Sequence, residues 1–140
     1  LTGHAGEWGD AASIREAWQA WGLERIGHGV RAADDPALMD DLAEAGVTLE
    51  CCPGSNVFLG VYPTLQDHPI ETLRARGVNV TVSTDDPPFF NTDMSREFAG
   101  LEAAFGWGEA DFEEMNANAL AAAFCDDDTR ASIAKRLDTP

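Results

Sequence analysis

The chain has 140 residues, 44% of them hydrophobic, enough apolar material for a core of ordinary domain size. Its formal net charge is −16, from 25 acids against 9 bases, and Lys135 is its single lysine. That balance excludes a basic surface for nucleic-acid phosphates or for an anionic membrane, and the acidity reads as a solubilising surface.

In chain order, Leu1-Thr2-Gly3 reads as the end of a strand. Ile14, Ala17, Trp18 and Trp21 then fall at helical spacing and predict a helix over Ala11 to Trp21, ended by Gly22. Glu24 to Gly27 is a second short strand. Asp34-Asp35-Pro36 predicts a helix start, with an acid as cap and proline in the first turn. Leu38, Met39, Leu42 and Ala45 would line the buried face of that helix, and Gly46 would stop it. Val47 to Cys51 is a third strand, and Pro53 to Leu65 reads as a long loop. A helix follows around Pro69 to Arg76, with Ile70 and Leu73 inward. Val78 to Val82 is the fourth strand.

Strand and helix therefore alternate four times, the rhythm of a parallel sheet. After Pro88 the pattern is helical: Met94 to Phe105, Phe112 to Phe124, and a last helix from about Thr129 to Leu137. Phe112, Met115, Ala119, Leu120 and Ala123 would face inward, and Asp126-Asp127-Asp128 reads as a cap. No Gly-rich phosphate fingerprint occurs, which argues against a Rossmann domain or a P-loop. The three cysteines, Cys51, Cys52 and Cys125, form no CxxC pair, so neither a disulfide framework nor a cysteine zinc site is indicated. Thiols and the lack of a membrane-length apolar run predict a cytoplasmic location. Motif begins directly after Leu1, with no initiator Met, and residues 1–140 are expected to be one piece of a larger barrel without a second domain.

The chemically useful residues fall at the strand ends, where α/β folds place ligand sites. His4-Ala5-Gly6-Glu7 follows the first strand, Gly27-His28-Gly29 the second, and Ser83-Thr84-Asp85-Asp86-Pro87 the fourth. His4 could give a ring nitrogen to a metal, with Glu7 swinging back over Gly6 as a nearby acid or base. Taken alone, His28 reads equally as a turn histidine or as a ligand-facing one whose flanking glycines clear space. Asp85 and Asp86 are adjacent carboxylates whose repulsion a divalent cation would relieve. His68 before Pro69 reads as a surface or capping residue. Cys51 and Cys52 read as buried apolar groups, Trp8 as packing rather than a pocket cover, and Ser55-Asn56 as loop stabilisers, with a ligand contact as the alternative.

HAGE, GHG, CPxSN and TDDP in this order resemble the adenosine deaminase family of zinc amidohydrolases, from Leu1 to about Phe124. The resemblance implies the C-terminal half of a (β/α)8 barrel, units five to eight, followed by helices. It implies His4 and Asp85 as ligands of one zinc, Glu7 as proton donor to the purine N1, and Asp86 as a partner of N7. His28 would orient the attacking water and help to deprotonate it. The family's His-x-His pair is absent here, so further zinc ligands are expected upstream, and this segment alone is expected to be inactive. The substrate would be a small purine nucleoside. Adenine deaminases of the family usually carry Asp where this chain has Gly27, and relatives acting on modified adenosine monophosphate tend to have Lys where it has Pro87. Both differences favour adenosine, with adenine deaminase, or a non-catalytic α/β binding domain, as alternatives.

Overall fold

A computed structural model of the chain describes residues 1–137. Four short strands, β1 (Thr2–Ala5), β2 (Arg25–His28), β3 (Thr48–Cys51) and β4 (Asn79–Val82), pair in parallel in the order β1-β2-β3-β4. Parallel neighbours need crossovers. These include helices α1 (Ala11–Trp21), α2 (Pro36–Ala45), α3 (Pro53–Phe58) and α4 (Ile70–Ala75). Sequential order with intervening helices is that of half a (β/α)8 barrel, the expected fold. Then come α5 (Pro87–Phe90), α6 (Met94–Phe105), α7 (Glu109–Ala122) and α8 (Asp127–Leu137).

The register explains the two faces. Ile26, Leu49 and Val80 form one row across β2, β3 and β4, and each is fully buried. Ile14, Leu38, Leu42, Ile70 and Leu73 from the helices join that core. Because side chains alternate along a strand, the other face carries Thr2, His4, Arg25, Thr48, Glu50, Asn79 and Thr81. It is polar and cross-linked: Thr2 Oγ1 donates to Glu50 Oε2 at 3.0 Å, and Asn79 Nδ2 to Thr48 Oγ1 at 3.2 Å.

Helix starts follow capping chemistry. Asp35 accepts from the backbone N–H of Ala37 and Leu38, with Pro36 opening α2. Asp126 accepts from the N–H of Thr129, the expected capping role at the head of α8. Elsewhere the structure differs from expectation. His4 lies inside β1, because that strand continues to Ala5 in register with β2. The first turns of the Pro53 to Leu65 segment are helix α3, since Pro53 in its first turn lacks only an N–H that a helix leaves unpaired. Trp8 and Trp21 are exposed rather than packed. Of the expected inward face of α7, Met115 is buried and Ala119 is exposed. Among the described residues, no helix is long and apolar enough to cross a membrane.

Candidate active site at the carboxyl ends of the strands

After β1 the backbone turns at Gly6, which has φ +68°. A Cβ there would lie 2.2 Å from Ile14 Cδ1, so only glycine fits the turn that brings Glu7 back over the sheet. His28 at the end of β2 and Asp85 beyond β4 also have positive φ, +60° and +58°. Non-glycine residues seldom hold such angles, and among the described residues Asn91 alone joins them. Backbone strain thus falls at two of the candidate site positions, His28 and Asp85.

His28 is buried, and its Nε2 lies 3.7 Å from Glu7 Oε2 and 4.0 Å from Asp85 Oδ2. Adjacent residues of α3 tie this cluster together. Ser55 Oγ donates to Asp85 Oδ2 at 2.7 Å, and Asn56 Nδ2 donates to Glu7 Oε1 at 3.3 Å. Asn56 Nδ2 also lies 3.3 Å from His28 Nδ1. In a flat sheet, three strand spacings would part β1 from β4 by about 14 Å. A single turn of α3 nevertheless reaches carboxylates that follow both edge strands.

His4 pairs with Gly27 across β1 and β2, and its ring centroid is 5.4 Å from that of His28. A Cβ on Gly27 would come within 2.9 Å of His4 Cδ2. The glycine therefore makes room for the His4 ring, which corrects the expectation that it leaves open space beside His28. The His4 ring nitrogens have no hydrogen-bond partner among the described residues. Asp86 is exposed; its carbonyl accepts from the N–H groups of Phe89 and Phe90, and its carboxylate is not used in capping α5.

Two polar partners escaped the sequence reading. Asn56 is fully buried and contacts both Glu7 and His28, where loop stabilisation was the main expectation and a ligand contact the lesser one. His68 is buried, not at the surface, and its Nε2 lies 3.1 Å from Asn56 Oδ1. Its Nδ1 accepts from Ile70 N–H at 3.2 Å, so the capping half of that expectation holds. Burial, then the neighbouring His28, lowers the His68 pKa to about 4. For Asn56 the available signal was its place in the CPxSN motif just after the third strand, which marks the position but not its contacts; for His68 there was none.

Ligand atoms of His28, Cys52 and Asp85 all lie within 4.8 Å of one another. Cys52 is a poor member of that set. Burial first, then the carboxylates of Asp85, Glu97 and Glu7, push its thiol up to about 12, and Sγ donates to Glu50 O at 3.6 Å. His28 Nδ1 is engaged by Asn56. The unpartnered nitrogen of His4 and the carboxylate of Asp85 suit the N/O preference of a catalytic zinc, which normally has three protein ligands.

The family profile described as adenosine deaminase matches residues 1–140. An adenine deaminase from Rhizobium johnstonii is 47% identical over 98% of this chain, and the chain spans 42% of that relative's length. The crystal structure of an adenine deaminase from Arthrobacter aurescens superposes with a TM-score of 0.93 at 33% identity, covering 97% of this chain and 42% of that one. An amidohydrolase structure from Burkholderia ambifaria, with bound zinc, gives a TM-score of 0.86 at 26% identity, over 97% of this chain and 38% of that one. The chain belongs to the adenosine deaminase family.

Proposed function

We propose that the full-length protein containing this chain is a zinc-dependent deaminase that hydrolyses adenine to the 6-oxopurine and ammonia. The observation that carries the choice of substrate is the name borne by the Rhizobium and Arthrobacter relatives, adenine deaminase in both cases. The expectation of adenosine rested partly on Gly27, whose missing side chain makes room for the His4 ring. His4 and Asp85 are the residues of this chain that would hold the metal, the remaining ligands coming from outside it. When bound, zinc would supply Lewis-acid activation of a water near neutral pH.

The chain's own residues do the rest. Glu7 stands at the rim of the cluster, partly shielded from water, and would deliver a proton to ring N1. Protonation there makes C6 electrophilic. Asp86, exposed and unengaged in capping, would accept a hydrogen bond from N7–H of the purine. Ser55 fixes the carboxylate of Asp85, and Asn56 fixes that of Glu7, so both enter the reaction already oriented.

Zinc-loaded full-length protein should release ammonia from adenine with a higher kcat/KM than from adenosine. A higher kcat/KM for adenosine would return the assignment to the nucleoside. Gly27→Asp is a poor probe of this choice, because the new side chain would displace His4.

A further inference from the structure

We propose that Asn56 and His68 are positioning residues: one buried hydrogen-bond chain holds His28 as its Nε2–H tautomer and confines the transferable proton of Glu7 to Oε2. This rests on reading Glu7 and His28 as working groups of the deaminase, but not on which purine is the substrate.

The assignment starts from a donor that cannot vary. Ile70 N–H opens α4, has no acceptor within the helix, and points at His68 Nδ1 at 3.2 Å. A ring nitrogen that accepts carries no proton, so a neutral His68 is protonated at Nε2. His68 stays neutral near pH 7, since burial and His28 lower its pKa to about 4. Its Nε2–H therefore donates to Asn56 Oδ1, 3.1 Å away.

That bond fixes the amide, leaving Asn56 Nδ2 facing Glu7 Oε1 and His28 Nδ1, each at 3.3 Å. Nδ2 has two hydrogens and meets two acceptors. His28 Nδ1 is thus bare and its proton sits on Nε2, the nitrogen that faces Glu7 Oε2 and Asp85 Oδ2. The opposite tautomer would set N–H against NH2 in a buried position and leave both unsatisfied.

The consequence is chemical. His28 meets the reaction centre as a hydrogen-bond donor, so it orients the water and a carboxylate takes the proton. Asn56 already occupies Glu7 Oε1, so a protonated Glu7 carries its hydrogen on Oε2. Of the two protons on the consumed water, one replaces the proton that Glu7 gave to N1 and the other leaves with ammonia. Neither needs to reside on His28.

The test uses zinc-loaded full-length protein labelled with 15N at histidine, with ring tautomers read by two-bond 1H–15N correlation. His28 and His68 should both show a bare Nδ1 and a protonated Nε2. A protonated Nδ1 on His28 overturns the proposal, whatever the variants do. Asn56→Asp keeps the size but offers only acceptors. It should switch His28 to Nδ1–H and lower kcat about 100-fold, with zinc content and KM held. An unchanged tautomer or an unchanged kcat would contradict the relay. His68→Gln retains a donor for Asn56 and should keep most turnover, whereas His68→Phe should lose about tenfold; equal turnover in these two also contradicts it. If the tautomers are as assigned but adenine is not deaminated, the functional reading fails and the relay stands.

Discussion

At the strand ends, Glu7, His28, Asn56, His68, Ser55 and Asp85 form one linked cluster, in which His28, Ser55, Asn56 and His68 are buried. Around α6, α7 and α8, acids and arginines pair nearer the surface. Arg96 of α6 pairs with Asp93 at 3.6 Å, both well exposed, and α8 buries no residue at all. The same carboxylate chemistry has different consequences in the two places. An exposed ion pair is screened and contributes about 0–1 kcal/mol. A buried polar group that loses its partner costs about 1–3 kcal/mol, and in an active site it loses geometry as well. Glu97 joins the two regions. It is the buried acid of α6, and it accepts from Gly54 N–H at 2.9 Å and Thr92 Oγ1 at 2.6 Å, holding the start of α3 in place.

That contrast predicts graded effects in the full-length protein. The largest is on turnover. Glu7→Gln keeps size and the bond from Asn56 but cannot deliver a proton, so kcat should fall by about 1,000-fold with zinc still bound. Near-normal kcat would remove Glu7 from the mechanism. Glu97→Ala strands the Gly54 N–H and the Thr92 hydroxyl and should cost about 3 kcal/mol in denaturant titration. A loss no larger than that of a surface acid would erase the distinction between the regions.

Ser55→Ala frees the Asp85 carboxylate and should weaken zinc affinity about tenfold, measured by competition with a chelator. The smallest effect belongs to the exposed pair of Arg76 and Asp40, bonded twice at 2.6 Å. Arg76→Ala should shift Tm by about 2 °C at most, and high salt should abolish the difference. Acid sharpens the same comparison. The Leu38 N–H, more than any other partner, holds the Asp35 carboxyl below its usual range. Its contribution is complete above about pH 4 and is lost as pH falls through the lowered folded value. Asp35→Asn should therefore flatten the acid limb of the stability curve.

Much of this was legible in the sequence. Helix caps are local: Asp35 accepts from backbone N–H groups two and three residues on, and Asp126 from one three residues on, as their sequence settings predict. The strands announced themselves by apolar runs of the right length, and the strand-end motifs by their order. What stayed hidden is non-local. Nothing near Asn56 in the chain shows that it will touch Glu7, 49 positions earlier, or His68, 12 positions later. Trp21 continues the helical apolar stripe and yet faces outward, because periodicity marks a face but not where the covered part of that face ends. The choice between adenine and adenosine was read from one position, Gly27, whose missing side chain serves the His4 ring.

The central claim is that His4 and Asp85, with Cys52 standing aside, supply this chain's share of a zinc site. Anomalous X-ray scattering at the zinc edge, from crystals of the full-length protein, tests it directly. The account predicts one peak at about 2 Å from both a His4 ring nitrogen and an Asp85 carboxylate oxygen. A peak bonded to Cys52 Sγ, or one that leaves His4 unligated, would contradict it.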